Sequence, residues 1–151
     1  MSAARKRADA LRQLEREVAV LVRRVRRVIR ERARLVHPEL QPSSYLMLGH
    51  LRDAGPLRAS AMCEVFDLDK GAVSRQVQHL LDLGLVDRTP DPDDGRATLI
   101  AVSDEGLRRM ADVADHRRKL LDERLSGWTA EELAAFVDQL SRYNAALGQG
   151  E

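Results

Sequence analysis

The chain holds a single cysteine, Cys63, so no disulfide can close within it, which fits a reducing compartment. No apolar run approaches the length a membrane-spanning helix needs, and the N-terminus is charged where a signal peptide would carry an apolar core. No membrane partner is therefore expected, and the expected location is the cytoplasm. There is no glycine-rich phosphate loop and no nucleophile motif, and the carboxylates fall on charged helix faces or in a turn, so no catalytic chemistry is expected. Metal binding has little support either. Asp112 and His116 stand four apart on one helix face, but His37, His50 and His79 are scattered and no cysteine pair accompanies them. Neither a metal nor a cofactor is expected. Internal repeats and low-complexity segments are missing too.

What remains is the composition of an ordinary helical protein: 44% hydrophobic and 32% charged over 151 residues, long enough for one domain, 1–151, with a real core. The net charge of +1 conceals an uneven distribution. Residues 1–36 carry twelve Arg or Lys against four Asp or Glu, and residues 37–151 carry thirteen against twenty. The strongly basic N-terminal helix suits a nearby polyanion, and equally an ordinary solvated helix face.

In that first helix Leu11, Leu14, Val18, Leu21, Val25, Val28 and Leu35 form a heptad seam, broken where Arg32 takes a seam position and widened by Val22 and Ile29. One small domain cannot cover so long a stripe. The seam therefore predicts packing on helices from the chain's own C-terminus and from a second copy, a homodimer. Pro38 and Pro42 end this helix, since each disfavours helical geometry at the residue before it. A second helix follows from about Ser43 to Ala54, with Tyr45, Leu46, Leu48 and Leu51 as its apolar set. Leu57 to Phe66 reads as a short helix with Ala61, Met62, Val65 and Phe66 inward, joined by Asp67-Leu68-Asp69 to a longer one. Short helix, turn, longer helix is a helix-turn-helix.

The longer helix, 69–84, is framed by Asp69, able to accept from free N–H groups in the first turn, and by Gly84, able to end it in the left-handed conformation. Val73, Val77, Leu80 and Leu81 share one buried stripe, and Arg75, His79 and Asp82 lie opposite. Two β-branched runs follow, Leu85 to Thr89 and Ala97 to Val102, separated by Pro90-Asp91-Pro92-Asp93-Asp94-Gly95-Arg96, a stretch dense in turn residues. The reading is a two-stranded hairpin, 85–102, with Arg96 at its tip. A polar helix face with an arginine fits a duplex major groove, and a projecting basic tip fits the minor groove. Ser103 is placed to cap the next helix, with Asp104 and Glu105 in its first turn. Thr129 and Glu132 form a capping-box pattern before a last helix to about Leu147, with fraying from Gly148 onward.

Lys70-Gly71-Ala72-Val73-Ser74-Arg75, then Leu83-Gly84-Leu85-Val86, then Asp91-Pro92-Asp93-Asp94-Gly95-Arg96 resemble three consecutive signatures of the MarR-type winged-helix regulators. The resemblance implies a mainly α fold with a small β-hairpin wing. A winged helix-turn-helix over 43–102 (recognition helix 69–84, wing 85–102) would be flanked by dimerisation helices at 1–36 and 103–148. It also implies a homodimeric regulator, most often a repressor in this family, that binds double-stranded DNA at an inverted repeat. In the family, small-molecule effectors such as aromatic acids bind in the crevice between the dimerisation helices and the winged domain. His37, Tyr45 and His50 are the candidates for reaching it here, against ordinary packing.

Arg75 is the first candidate for reading bases, since a guanidinium donates two parallel bonds to a guanine edge. The competing reading pairs it with Asp82. Ser60, Lys70, Ser74, Gln78 and His79 join it as candidates for base or phosphate contact, and Arg88 as a phosphate contact or a partner of Asp87 or Asp94. By resemblance, Arg96 is the minor-groove arginine and Asp94 its brace. Gly95 departs from the family's commoner pattern, in which a second basic residue is frequent at that position, and so removes one possible phosphate contact. Cys63 reads as a small filler rather than an oxidant sensor. Two other readings stay open: a winged-helix module that binds a protein, and a sequence-tolerant architectural DNA binder acting through Arg23, Arg26 and Arg27.

Overall fold

A computed structural model describes residues 1–148 and divides the chain into two units, Met1–Val113 and a second beginning at Ala114. The first unit opens with α1 (Ala3–Val36), one unbroken helix of 34 residues whose N-cap Ser2 accepts from the Arg5 N–H. Ala33 and Val36 turn its last stretch into the core, whereas Leu11, Leu14, Leu21, Val22 and Val25 remain exposed. Leu35 is exposed as well, because Ala33 and Val36 occupy the inward side of that turn.

Helix α2 (Pro42–Ala54) starts at its proline, whose fixed φ suits the first helical position. Ser44, Met47, Leu48 and Leu51 are its buried stripe. Leu46, expected in the apolar set, is instead 49% exposed, since it lies off the stripe that 44, 47, 48 and 51 define.

Residues 57–66 are not one helix. Leu57 and Arg58 form strand β1 (Leu57–Arg58), and only Ala59–Phe66 is helical, as α3. The preceding Gly55-Pro56 keeps the chain extended there, and the free edge of a later strand supplies the hydrogen bonds. Starting at Ala59, the inward positions of α3 become Ala59, Met62, Cys63 and Phe66, so Val65, expected inside, is half exposed. Cys63 packs against the core as a filler.

Asp67 takes the left-handed conformation at the end of α3 (φ 49°), and the chain enters α4 (Lys70–Asp82). Strands β2 (Val86–Asp91) and β3 (Asp94–Val102) follow, and the sheet has the antiparallel order β1-β3-β2. It is thus three-stranded rather than two-stranded. The core gathers Val73, Val77 and Leu80 of α4 with Leu85, Ile100, Met62, Met47 and Leu51, all at most 2% exposed.

Helix α5 (Asp104–Arg124) begins at Ser103, whose hydroxyl accepts from the Gly106 N–H at 3.0 Å and donates to the Gly84 carbonyl at 2.7 Å. Arg109 reaches from α5 to the Val36 carbonyl at 3.1 Å, placing a cation at the negative end of α1. Glu105 accepts from Arg108 and Arg109, and these two guanidiniums hold its carboxyl down at about 2.

The second unit contains α6 (Ala130–Leu147), opened by a complete capping box of Thr129 and Glu132. Trp128 and Phe136 meet edge to face, with ring centres 5.7 Å apart. Phe136, Val137, Leu140 and Leu147 are exposed on α6. Fraying is expected from Gly148 onward, yet Gly148 caps α6 with its N–H donating to the Asn144 carbonyl; residues 149–151 lie outside the described residues.

Candidate nucleic-acid interface

Helix α4 is positioned by interactions its own sequence supplies. The Asp69 carboxylate accepts from the Ala72 N–H at 2.7 Å, and Gly84, at φ 73°, turns the chain out of the helix after the cap residue Leu83. Val73, Val77 and Leu80 are buried, and Leu81 packs against them. With that stripe held down, Lys70, Gly71, Ser74, Arg75 and Gln78 are exposed. The helix thereby offers a surface of one glycine, hydroxyl, amide and cationic groups, the side-chain types that contact base edges and phosphates.

The competing pairing of Arg75 with Asp82 is not present: Gln78 Nε2 donates to Asp82 Oδ1 at 2.9 Å, and Arg75 has no ion pair among the described residues. The Arg75 guanidinium lies back over Gly71. A Cβ at that glycine would come within 3.3 Å of Arg75 Nη1, so the absent side chain leaves room for it. His79, expected on the outward face, is half-buried. Its Nε2 is enclosed and has no hydrogen-bond partner among the described residues. The position lies on the flank of α4 shared with Ala72 and Gln76 rather than on the exposed stripe, because 72, 76 and 79 follow one another at helical spacing.

The wing is longer and its tip tighter than the spacing of turn residues predicts. Pairing continues through Pro90 and Thr98 to Asp91 and Asp94, with an irregularity at Pro90/Asp91, so only Pro92-Asp93 connects the strands. Arg96 is accordingly not at the tip but on β3, exposed, with its backbone N–H donating to Asp94 Oδ1 at 3.1 Å. Asp94 braces the backbone of Arg96; the guanidinium is left without an ion pair among the described residues. Arg88 stands opposite Ile100 in the sheet and is exposed, paired with neither Asp87 nor Asp94.

The carboxylate that organises the turn is Asp91, which no local sequence pattern singles out from Asp93 and Asp94. It accepts from the Asp93 N–H at 2.9 Å and from Arg58 Nε at 2.6 Å, and its side chain is only 7% exposed. The Asp93 amide and the Arg58 guanidinium hold its carboxyl below the ordinary range. Arg58 sits 33 residues earlier, on β1, and immediately precedes α3. One ion pair therefore ties the wing turn to the start of the helix-turn-helix. Nothing in the local sequence around either residue marks the other.

Ser60 is exposed in the first turn of α3, where free N–H groups accompany its hydroxyl. The three effector candidates have local occupations. His37 Nδ1 accepts from the Glu39 N–H at 3.1 Å, Tyr45 rests half-buried against the core, and His50 packs edge-on against Phe66 at 5.5 Å.

Comparison with known proteins agrees with this architecture. A family model described as the MarR family matches residues 39–97. YxaD of Bacillus subtilis, an HTH-type transcriptional regulator, is 31% identical over 134 residues, covering 89% of this chain and 92% of that protein. The multiple antibiotic resistance protein MarR of Salmonella typhimurium is 29% identical over 95 residues, which is 60% of this chain and 66% of that protein. Among solved structures, a MarR family protein from Bacillus stearothermophilus superposes with a TM-score of 0.75 at 21% identity, covering 99% of this chain and 100% of that one. A mutant MarR from E. coli complexed with operator DNA superposes with a TM-score of 0.67 at 22% identity, covering 89% and 96%. The structural likenesses establish the shared winged-helix fold. With a relative matched over nearly its whole length, they lead to one conclusion: this chain belongs to the MarR family of transcription regulators.

Proposed function

We propose that the protein is a homodimeric, sequence-specific DNA-binding regulator, most simply a repressor, acting on an inverted-repeat operator. The observation that carries this reading is the exposed face of α4, where Lys70, Ser74, Arg75 and Gln78 stand clear while the opposite stripe anchors the helix in the core. In this arrangement α4 enters the major groove, Arg75 reads a base edge, Ser60 and Arg88 contact phosphates, and Arg96 reaches the adjacent minor groove. The DNA-binding region is 43–102. The flanking helices, 1–36 and 103–148, supply the dimer, and the apolar side chains exposed on α1 and on α6 support that assignment. Two copies with a two-fold axis present their recognition helices about 34 Å apart, one duplex turn. An effector that alters this spacing releases the DNA.

The test is selection of duplexes from a random pool by the purified protein at near-physiological salt, with Arg75→Ala run in parallel. The expected outcome is an enriched palindrome bound by the wild type. Arg75→Ala should bind it about tenfold to a hundredfold more weakly and with relaxed specificity at one position of each half-site. Absence of any enriched sequence would refute the reading. Uniform binding to all duplexes with a steep salt dependence would replace it with the architectural one.

A further inference from the structure

Between the first turn of α2 and the flank of α4 lies a cavity of about 360 Å³, lined by Gln41, Ser44, Ala72, Arg75, Gln76 and His79. Three of these side chains carry an enclosed polar atom with no hydrogen-bond partner among the described residues: Ser44 Oγ, Gln76 Oε1 and His79 Nε2. Ser44 is completely buried, at 0% exposure. Buried polar atoms are nearly always bonded, because an unbonded one forfeits its hydration without compensation. Three such atoms around a single cavity leave hydrogen-bonding capacity there that water or a polar guest can meet.

The lining also states the charge of that guest. No carboxylate faces the cavity, and Arg75 contributes a guanidinium. Gln41, the N-cap of α2, provides no side-chain cap, so the N–H of Ser44 at the positive end of this 13-residue helix has no intrahelical acceptor. The Ser44 hydroxyl can donate, His79 can donate from Nε2, and a half-turn of the Gln76 amide presents its NH₂ instead of its oxygen. Ala72 is the only aliphatic side chain in the lining. Convergent donors and one fixed cation suit a compact oxyanion with several acceptor oxygens.

Arg75 belongs to this cavity and to the exposed face of α4 alike. We propose that the cavity binds a phosphate group, free or carried by a small metabolite, and that the bound phosphate draws Arg75 away from DNA, so that ligand and operator compete for one guanidinium. The competition rests on the DNA-binding function proposed above; the phosphate site does not. Such release acts inside a single protomer and needs no change in the spacing of the recognition helices.

The experiment uses inorganic phosphate as the probe, with chloride at equal ionic strength as the control, on the wild type, Ser44→Ala and Gln76→Met. Amide NMR of the protein alone reads the site. Saturable shifts of the Ser44 and Gln76 amides are expected with phosphate and not with chloride, with affinity reduced about tenfold in each variant. Shifts that never saturate, or that persist unchanged in both variants, would overturn the site. Thermal melts of the two variants report that each is folded.

Binding to the selected operator then reads the competition. Saturating phosphate should weaken wild-type binding about tenfold beyond the chloride control, the worth of one arginine–base contact, and should leave the variants close to their chloride values. Both variants should bind operator normally without phosphate. If they do not, the occupant is a phosphate of the DNA itself and the competition is refuted. A protein that binds phosphate as described but binds no duplex would refute the regulator reading while leaving the site in place.

Discussion

The recognition helix and the wing present the two sets of candidate DNA-binding arginines, yet they are held by opposite means. Helix α4 is framed within its own stretch: Asp69 caps it, Gly84 ends it, and Val73, Val77 and Leu80 seat it. The wing depends on groups distant in the chain. Arg58 grips Asp91 from 33 residues away, and Ser103 bonds the Gly84 carbonyl across 19 residues. One candidate binding element is thus placed by local chemistry while its neighbour is placed by tertiary contacts.

The most severe way to break that contrast is at the junction where the wing returns to α5. A Cβ on Gly106 would lie 2.4 Å from the Leu85 carbonyl oxygen and 2.8 Å from Val102 Cγ1. Neither backbone nor buried side chain can yield by that much without moving the strand, so Gly106→Ala should destabilise the fold by about 2–3 kcal/mol. A thermal or denaturant melt reads this directly, and an unchanged midpoint would mean the junction is looser than the geometry implies.

A smaller effect is expected at the helix. Asp69→Ala removes the N-cap and should cost about 1 kcal/mol, while Asp69→Asn, which keeps an accepting oxygen, should cost far less. Amide exchange in residues 70–73 should rise in the first variant alone.

Smaller again in stability, but selective in function, is the wing anchor. Arg58→Gln should leave the melt near that of the wild type and weaken operator binding several-fold. Combined with Arg96→Ala it should add little, because Arg58 acts through the position of the wing. Full additivity would show that Arg58 contacts DNA in its own right. The same pair sharpens the comparison through pH. Asp91 is held below its ordinary value by the Asp93 amide and by Arg58, so its contribution is complete above the ordinary carboxylate range and is lost as pH falls through the lowered value. The Asp93 amide resonance should shift over that acid range, and in Arg58→Gln the shift should move to higher pH.

The elements with local causes were legible in the sequence. Periodicity and capping residues locate α1, α4 and α6 closely, and Ser103 and Thr129 cap where their side chains suggest. Misplacement occurred where pairing partners are remote. Strand β1 is two residues long and exists only because β3 offers it an edge, so no pattern within Leu57–Arg58 announces it. The tight Pro92-Asp93 turn likewise follows from the register of β2 on β3 and not from the count of turn-forming residues. His79 departs from the outward face that helical spacing predicts, because its flank of α4 lies beside the start of α2.

The helix-turn-helix, the basic first helix, the long apolar seam and the arginines that face solvent all follow from local sequence, because each arises from residues within a few turns of one another. Tertiary structure alone decided which carboxylate anchors the wing, that Arg96 stands on a strand and not at its tip, and that Ser44, Gln76 and His79 converge on one cavity. Those outcomes depend on groups brought together by packing, and the distance between them along the chain leaves no local trace.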